Sequence, residues 1–265
     1  MTSVVFLGGG RITGALVAGL RLAGYEREIV VYDRNAEKVR ALRRDARVLI
    51  ARDLKSAVLR AEMLIVAVRP ASIAGILEEI VAGGVRAPKL CVSLAAGVPL
   101  QKLRGRLGSA ARWVRAMPSP VCRVGRGLTA LSFGRSVTKT ERRRVREFFE
   151  RVGTVLEIPE GQFDAFTAAY SCSHGYHALA TLAKAGQRAG LGRATALTAA
   201  AHALSDGIGY WRESGKALSE LLHEAATPGG IAAATMSAMD ESGYARVVEK
   251  GIRAGIKQAW VNAKR

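Results

Sequence analysis

The sequence predicts an α/β fold over its first 159 residues and an all-helical domain after them. Three observations carry this. Short apolar runs alternate with helix-patterned stretches from Ser3 to Ile158. Three glycines, Gly8 to Gly10, join the first apolar run to the first helical one. After Pro159 no strand-like run returns, and only long, Ala-rich segments follow. Alternation of this kind implies a mostly parallel sheet with helices on both faces.

The opening stretch is the most informative. Val4 to Leu7 reads as a buried strand, and Ile12, Ala15, Leu16 and Leu20 recur at helical spacing. Strand, glycine turn and helix form the context in which a glycine pattern marks a dinucleotide site. Gly8 is expected to let the chain turn sharply, and Gly10 to let the backbone approach a pyrophosphate. The following helix would aim its free N–H groups at that pyrophosphate. Thr13 takes the sixth fingerprint position, a small residue still compatible with close helix–strand packing. The N-terminal domain is thus expected to be Rossmann-type and doubly wound.

The second strand, Glu28 to Tyr32, ends in Asp33-Arg34-Asn35. An acid here can accept from the ribose hydroxyls of NAD, whereas cations such as Arg34 and Lys38 can hold a 2′-phosphate. Asp33 could equally cap the helix starting near Ala36. NADH and NADPH both remain open. Helices are expected over 37–44, 54–59, 72–81, 100–107 and 140–152, the last capped by Thr140. Further strands are expected over 48–50, 63–68, 90–94, 113–116, 127–133 and 154–158. The strand ending at Ala67-Val68-Arg69-Pro70 places Arg69 at the carboxyl edge of the sheet, where ligands bind. Ala95-Ala96-Gly97 supplies small residues at another strand exit.

Beyond Pro159, helices are expected over 163–182, 193–214, 218–226, 231–239 and 244–263. Ala194 to Ala203 carries no charge. A helix apolar on every side is buried, and a domain of this size buries it best across a subunit interface. An intertwined homodimer, or a higher oligomer built through the same helices, is therefore expected. The domains divide as 1–159 and 160–265.

Composition narrows the function classes. At 49% hydrophobic residues the chain supports a sizeable core. No run of 18 apolar residues occurs, so no membrane span is expected. The first strand begins at once, leaving no room for a signal peptide. Cys91, Cys122 and Cys172 have no metal spacing and read as free thiols of a reducing cytoplasm. The net charge of +18 concentrates between Lys102 and Arg151, yet no aromatics interleave with it. An arginine-rich solvated surface is the preferred reading, ahead of a nucleic-acid footprint.

The chain resembles the pyrroline-5-carboxylate reductase family over essentially its whole length. The resemblance rests on Phe6-Leu-Gly-Gly-Gly10, Ala67-Val-Arg-Pro70, Ser93-Leu-Ala-Ala-Gly97 and Arg115-Ala-Met-Pro118. It continues in Phe163-Asp-Ala-Phe-Thr-Ala168, Glu213-Ser-Gly-Lys216 and Ala226-Thr-Pro-Gly-Gly230. It implies NAD(P)H-dependent reduction of a cyclic imine to proline and assembly through the C-terminal helices. The cofactor residues expected are Gly8, Gly10, Arg11, Ile12, Asp33, Arg34, Ala67, Val68, Arg69, Pro70 and Ala96. The sequence departs from the family around the substrate. Ser119-Pro120-Val121 follows Met117-Pro118 where the family has Asn-Thr-Pro. Tyr170-Ser-Cys-Ser-His-Gly-Tyr176 keeps only Tyr176 of the family's Ser-Gly-Ser-Gly-Pro-Ala-Tyr. Ile231 and Ala232 replace two threonines, one of which contacts the imine in the family.

Hydride transfer to C=N or C=O needs a positioned nicotinamide, a proton donor and a group that orients the substrate's charge. Donor candidates cluster at the start of the first long C-terminal helix: Ser173, His174, Tyr176 and His177, with Ser171 beside them. His174 and His177, three apart, share one helix face. The structural alternative is that these groups satisfy one another at a helix interface. Thr227, Gly229 and Gly230 are expected to bind a substrate carboxylate at the N-terminus of the helix from Ile231. No metal is expected, because His174 and His177 lack further ligands. His202 and His223 are left to structural roles, and Cys172 is not needed as a nucleophile. Two other functions fit the scaffold: a keto- or hydroxy-acid reductase, and a nucleotide-binding regulator without catalysis.

Overall fold

The computed structural model describes residues 3–85 and 90–264. An eight-stranded sheet dominates the first part: β1 (Val4–Leu7), β2 (Ile29–Tyr32), β3 (Leu49–Ile50), β4 (Met63–Val66), β5 (Leu90–Ser93), β6 (Arg112–Met117), β7 (Gly127–Phe133) and β8 (Gly153–Glu157). The order is β3-β2-β1-β4-β5-β6-β7-β8. Strands β1 to β6 all run parallel. Strand β7 is antiparallel to β6, and β8 follows β7 in parallel. The 3-2-1-4-5-6 order is the doubly wound Rossmann topology, and its direction reverses between β1 and β4.

Helices α1 (Arg11–Leu22), α2 (Ala36–Ala46), α3 (Leu54–Arg60), α4 (Ile73–Ala82), α5 (Leu100–Leu103) and α6 (Lys139–Glu150) cover the sheet. Strand side chains alternate between two cores. Val4 and Phe6 of β1 pack with Leu16 and Leu20 of α1 and with Phe148 and Phe149 of α6. Val5 and Leu7 pack with Val58 of α3 and Leu77 of α4. All four residues of β1, β4 and β5 are buried. Strands covered on both faces read as unbroken apolar runs, which is why they stood out in the sequence.

Local chemistry moves several boundaries. The helix expected over 100–107 stops at Leu103, because the chain enters positive φ at Gly105 and Gly108, at +74° and +80°. Thr138, and not Thr140, caps α6. Its hydroxyl accepts from Glu141 N at 3.3 Å while the Glu141 carboxylate accepts from Thr138 N at 3.0 Å. Only Thr138 has a glutamate three residues on, so only it can close this reciprocal box. Asp33 does not cap α2 either. Asn35 does, accepting from the N–H groups of Glu37 and Lys38.

The single helix expected over 163–182 is two, α7 (Phe163–Ala169) and α8 (Cys172–Arg188). Ser171 sits between them in extended conformation and accepts from Ser173 N, which starts a new helix. Helix α7 is held to the sheet by Arg115 of β6. This buried guanidinium pairs with Glu160 at 3.0 Å and Asp164 at 3.1 Å, and lies 4.1 Å over the Phe163 ring. Glu160 also accepts from Leu100 N at 2.9 Å, so one acid secures both α7 and α5.

By contacts the chain forms two compact units, Met1–Ala169 with Gly255–Arg265, and Tyr170–Ala254. Residues 160–169 and 255–264 cluster by contacts with the first unit. In the first unit the end of α12 (Tyr244–Lys264) crosses Gly97, where a Cβ would stand 2.4 Å from the Ala259 carbonyl. The second unit contains α8, α9 (Arg193–Ser214), α10 (Leu218–Ala225), α11 (Ile231–Glu241) and the start of α12. Helices α8 and α9 form a hairpin across Gly190-Leu191-Gly192. A Cβ at Gly186 would lie 3.4 Å from the Ala196 side chain, and Ala183, Ala196 and Ala200 are buried. No helix among the described residues is long and apolar enough to cross a membrane.

Candidate active site

The glycine turn is built from within. Gly8 N donates to Tyr32 O at 2.7 Å, and Gly8 has φ +108°. A Cβ there would lie 2.5 Å from the Ala67 carbonyl, so β1 and β4 approach closely only with glycine. Thr13 is fully buried and donates to the Gly8 carbonyl at 2.6 Å. It replaces the third glycine of the fingerprint with a strut that holds the turn on α1. Gly10 opens α1 with φ −77°, and no side chain caps the helix. A Cβ at Gly10 would meet nothing within 4 Å.

Asp33 finishes the cradle. Its Oδ2 accepts from Gly9 N and its Oδ1 from Asn35 N, both at 2.8 Å. The carboxylate therefore ties the glycine turn to the loop after β2.

These groups edge a cavity of about 840 Å³ at the point where the strand order reverses. Such crevices are where open α/β sheets bind ligands. Gly8, Gly10, Arg11, Ile12, Asp33, Arg34, Ala67, Val68 and Arg69 line it. Pro70 and Ala96 do not. Pro70 begins the 3-10 turn that leads into α4, and Ala96 sits in the turn after β5. The lining also includes Tyr32, Ala71, Ser72, Gly75 and Ile76, which the sequence reading missed, and Lys38. Small residues spaced through 71–75, directly after Arg69-Pro70, were the available signal. An open, uncapped helix start, a glycine whose missing Cβ leaves space and four cationic side chains fit a pyrophosphate-bearing dinucleotide.

The second unit holds the other candidates. Ser171 caps α8, and its hydroxyl lies 2.7 Å from that of Ser173. These two hydroxyls satisfy each other. Tyr176 and His177 do not: both are exposed and make no side-chain hydrogen bond among the described residues. His177 lines an open cavity with Thr181, Lys184 and Arg188 along α8. His174 is exposed one turn earlier. Gly229 has φ +75°, Gly230 caps α11 with no side-chain help, and Gly230 N donates to Thr227 O at 2.9 Å. Ile231, in the family's threonine position, is 90% exposed. His202 pairs with Asp206 at 2.9 Å on α9, and His223 lies in the last turn of α10. No group of three potential metal ligands occurs among the described residues.

The charge on α6 is largely neutralised locally. Arg142 and Arg146 reach Glu157, Arg143 reaches Glu147 and Arg144 reaches Glu62. Cys91, Cys122 and Cys172 form no disulfide among the described residues, and burial pushes the Cys91 thiol up to about 12.

Sheet order, glycine cradle and helical second unit together define a dinucleotide-binding protein with an appended all-α domain. Residues 3–97 match the family model described as NADP oxidoreductase coenzyme F420-dependent. Residues 160–260 match the model described as pyrroline-5-carboxylate reductase dimerisation. A pyrroline-5-carboxylate reductase of Corynebacterium melassecola is 33% identical over 248 residues, covering 92% of each chain. One from Mycobacterium tuberculosis H37Rv is 31% identical over 279 residues, covering 96% of this chain and 94% of that one. The crystal structure of a Plasmodium falciparum pyrroline carboxylate reductase with NADP bound shares the fold at TM-score 0.88 and 21% identity, covering 99% and 98%. The chain belongs to the pyrroline-5-carboxylate reductase family.

Proposed function

We propose that this protein is an NAD(P)H-dependent reductase of a cyclic imine, with pyrroline-5-carboxylate as substrate and proline as product. The observation that carries the reading is near-full-length similarity to pyrroline-5-carboxylate reductases combined with a glycine-turn cavity where the strand order reverses. A nicotinamide dinucleotide held at this cradle would supply the hydride. Everything else falls to the chain's own residues.

The uncapped start of α1 and the Gly8–Gly10 backbone hold the pyrophosphate. Arg11, Ile12, Ala67, Val68 and Arg69 shape the cofactor's path along the sheet edge, while Pro70 and Ala96, outside the lining, act only through the turns they start after β4 and β5. Tyr176 presents the hydroxyl that holds the proton at the imine nitrogen, because it is the retained family position and its phenol makes no side-chain hydrogen bond among the described residues. His177 and His174 keep a protonatable group beside it, and Ser173 adds a further hydroxyl. The substrate carboxylate is taken by Ser171, the Thr227 hydroxyl and the N–H groups at Gly229 and Gly230, where α11 begins. The dinucleotide domain is 1–159 and the substrate and dimerisation domain 160–265.

We further propose a homodimer formed through the C-terminal helices. Leu197, Ile208, Trp211, Leu218, Leu222 and Val247 are each at least 44% exposed in the single chain, more apolar surface than a soluble monomer ordinarily presents. A cytoplasmic location suits three cysteines that form no disulfide among the described residues.

The test is oxidation of NADPH and NADH by the full chain with pyrroline-5-carboxylate, together with Tyr176→Phe. Wild-type turnover to proline, with kcat/KM lowered at least about tenfold in the variant and cofactor affinity unchanged, supports the assignment. Turnover of keto acids alone would favour the hydroxy-acid reading. Cofactor binding without turnover of any substrate would favour a regulator.

A further inference from the structure

Asp33 stands where an acid would accept from the ribose of NADH, but both of its oxygens already accept backbone N–H groups at 2.8 Å, from Gly9 and Asn35. Its work is holding the glycine turn. The next residue, Arg34, lines the same cavity and is tied to Glu79 of α4. Glu79 lies one helical turn beyond Gly75 and Ile76, which line the opposite wall. The ion pair therefore runs from the β2–α2 loop to α4 across one end of the crevice. Lys38, also in the lining, makes no ion pair among the described residues.

A ribose bearing only hydroxyls can still reach the lone pair left on each Asp33 oxygen, but it brings no charge that could draw Arg34 from Glu79. A ribose bearing a 2′-phosphate finds two cations, one of them held by a competing carboxylate. A phosphate dianion offers more charge and more acceptor oxygens than that carboxylate does. The pair is also exposed, with side chains 71% and 45% accessible, so breaking it costs little.

We propose that Glu79 is a specificity-determining residue of the cofactor site: it holds Arg34 across the adenosine end of the crevice, and a 2′-phosphate, but not a 2′-hydroxyl, takes Arg34 from it. The protein is thus selective for NADPH, through Arg34 and Lys38, and Glu79 sets how strongly. This rests on the cofactor part of the proposed function and not on the identity of the imine.

Calorimetric titration of the full chain with adenosine 2′,5′-bisphosphate and with adenosine 5′-monophosphate tests it, with no imine or nicotinamide present. The bisphosphate is expected to bind at least about tenfold more tightly. Arg34→Ala brings the ratio of the two Kd values close to one, and Lys38→Ala lowers it. Glu79→Gln raises the ratio about two- to fivefold, the scale of an exposed ion pair, while monophosphate affinity changes little. Thermal melts of the variants check folding, and Glu79→Ala repeats the Glu79→Gln result without a side-chain amide. Equal binding of the two nucleotides, or a ratio unmoved or lowered by both Glu79 variants, overturns the inference. Failure to bind either nucleotide overturns it along with the dinucleotide site. Lack of imine turnover with the expected ratios leaves it standing.

Discussion

The buried Thr13 hydroxyl donates to the Gly8 carbonyl at 2.6 Å and locks the glycine turn to the helix that follows. Thr13→Val keeps the shape and removes the donor. Leaving the carbonyl without that partner costs about 1–2 kcal/mol, read as a lower midpoint in urea unfolding. Thr13→Ser retains the donor and stays closer to wild type.

Gly8 and Gly10 separate fold from function. Gly8→Ala must place a Cβ 2.5 Å from the Ala67 carbonyl at φ +108°, so it destabilises by about 2 kcal/mol or more. Gly10→Ala meets no protein atom within 4 Å at an ordinary φ and leaves stability within about 1 kcal/mol. It fills space at the edge of the cavity and lowers NADPH affinity about tenfold or more. Thermal melts and cofactor titrations on the same two variants check both halves.

Arg115 secures α7 and α5 to the sheet through Glu160 and Asp164. Arg115→Leu leaves two acids, 34% and 26% exposed, facing an apolar site, and unfolding stability falls by about 2–4 kcal/mol. Asp164→Asn, which keeps Glu160 on the arginine, costs less. Denaturant curves of both variants test the order.

Glu141 gives a pH dependence of known sign. Burial alone would raise its pKa, but the Arg112 hydrogen bonds and the Thr138 cap outweigh burial and lower it from 4.5. Its stabilising contribution is therefore complete above the unfolded value and lost as the pH falls through the lower folded value. Glu141→Gln reduces stability at neutral pH by about 1 kcal/mol. Its melting temperature falls less steeply than wild type below about pH 4.5, as acid titration of both proteins will show.

Most of the sheet was legible because parallel strands covered on both faces leave unbroken apolar runs, and because glycines mark the turn at β1. What the sequence hid was local competition among polar side chains. Asp33 and Asn35 are both good caps, and only the fold shows that Asn35 takes the helix while Asp33 takes Gly9 N. Thr138 and Thr140 were separable through Glu141. The break at Ser171 lies in a stretch with no glycine or proline at the break itself, where one serine hydroxyl begins a new helix. The Arg34–Glu79 pair joins residues 45 positions apart, and no periodicity reveals it.

Imine reduction by this chain is read out by following NADPH oxidation with pyrroline-5-carboxylate beside a panel of other cyclic imines and small keto acids. Saturable turnover of pyrroline-5-carboxylate, with proline as product, is the expected result. Tight NADPH binding with turnover of keto acids only, or of nothing in the panel, would contradict it.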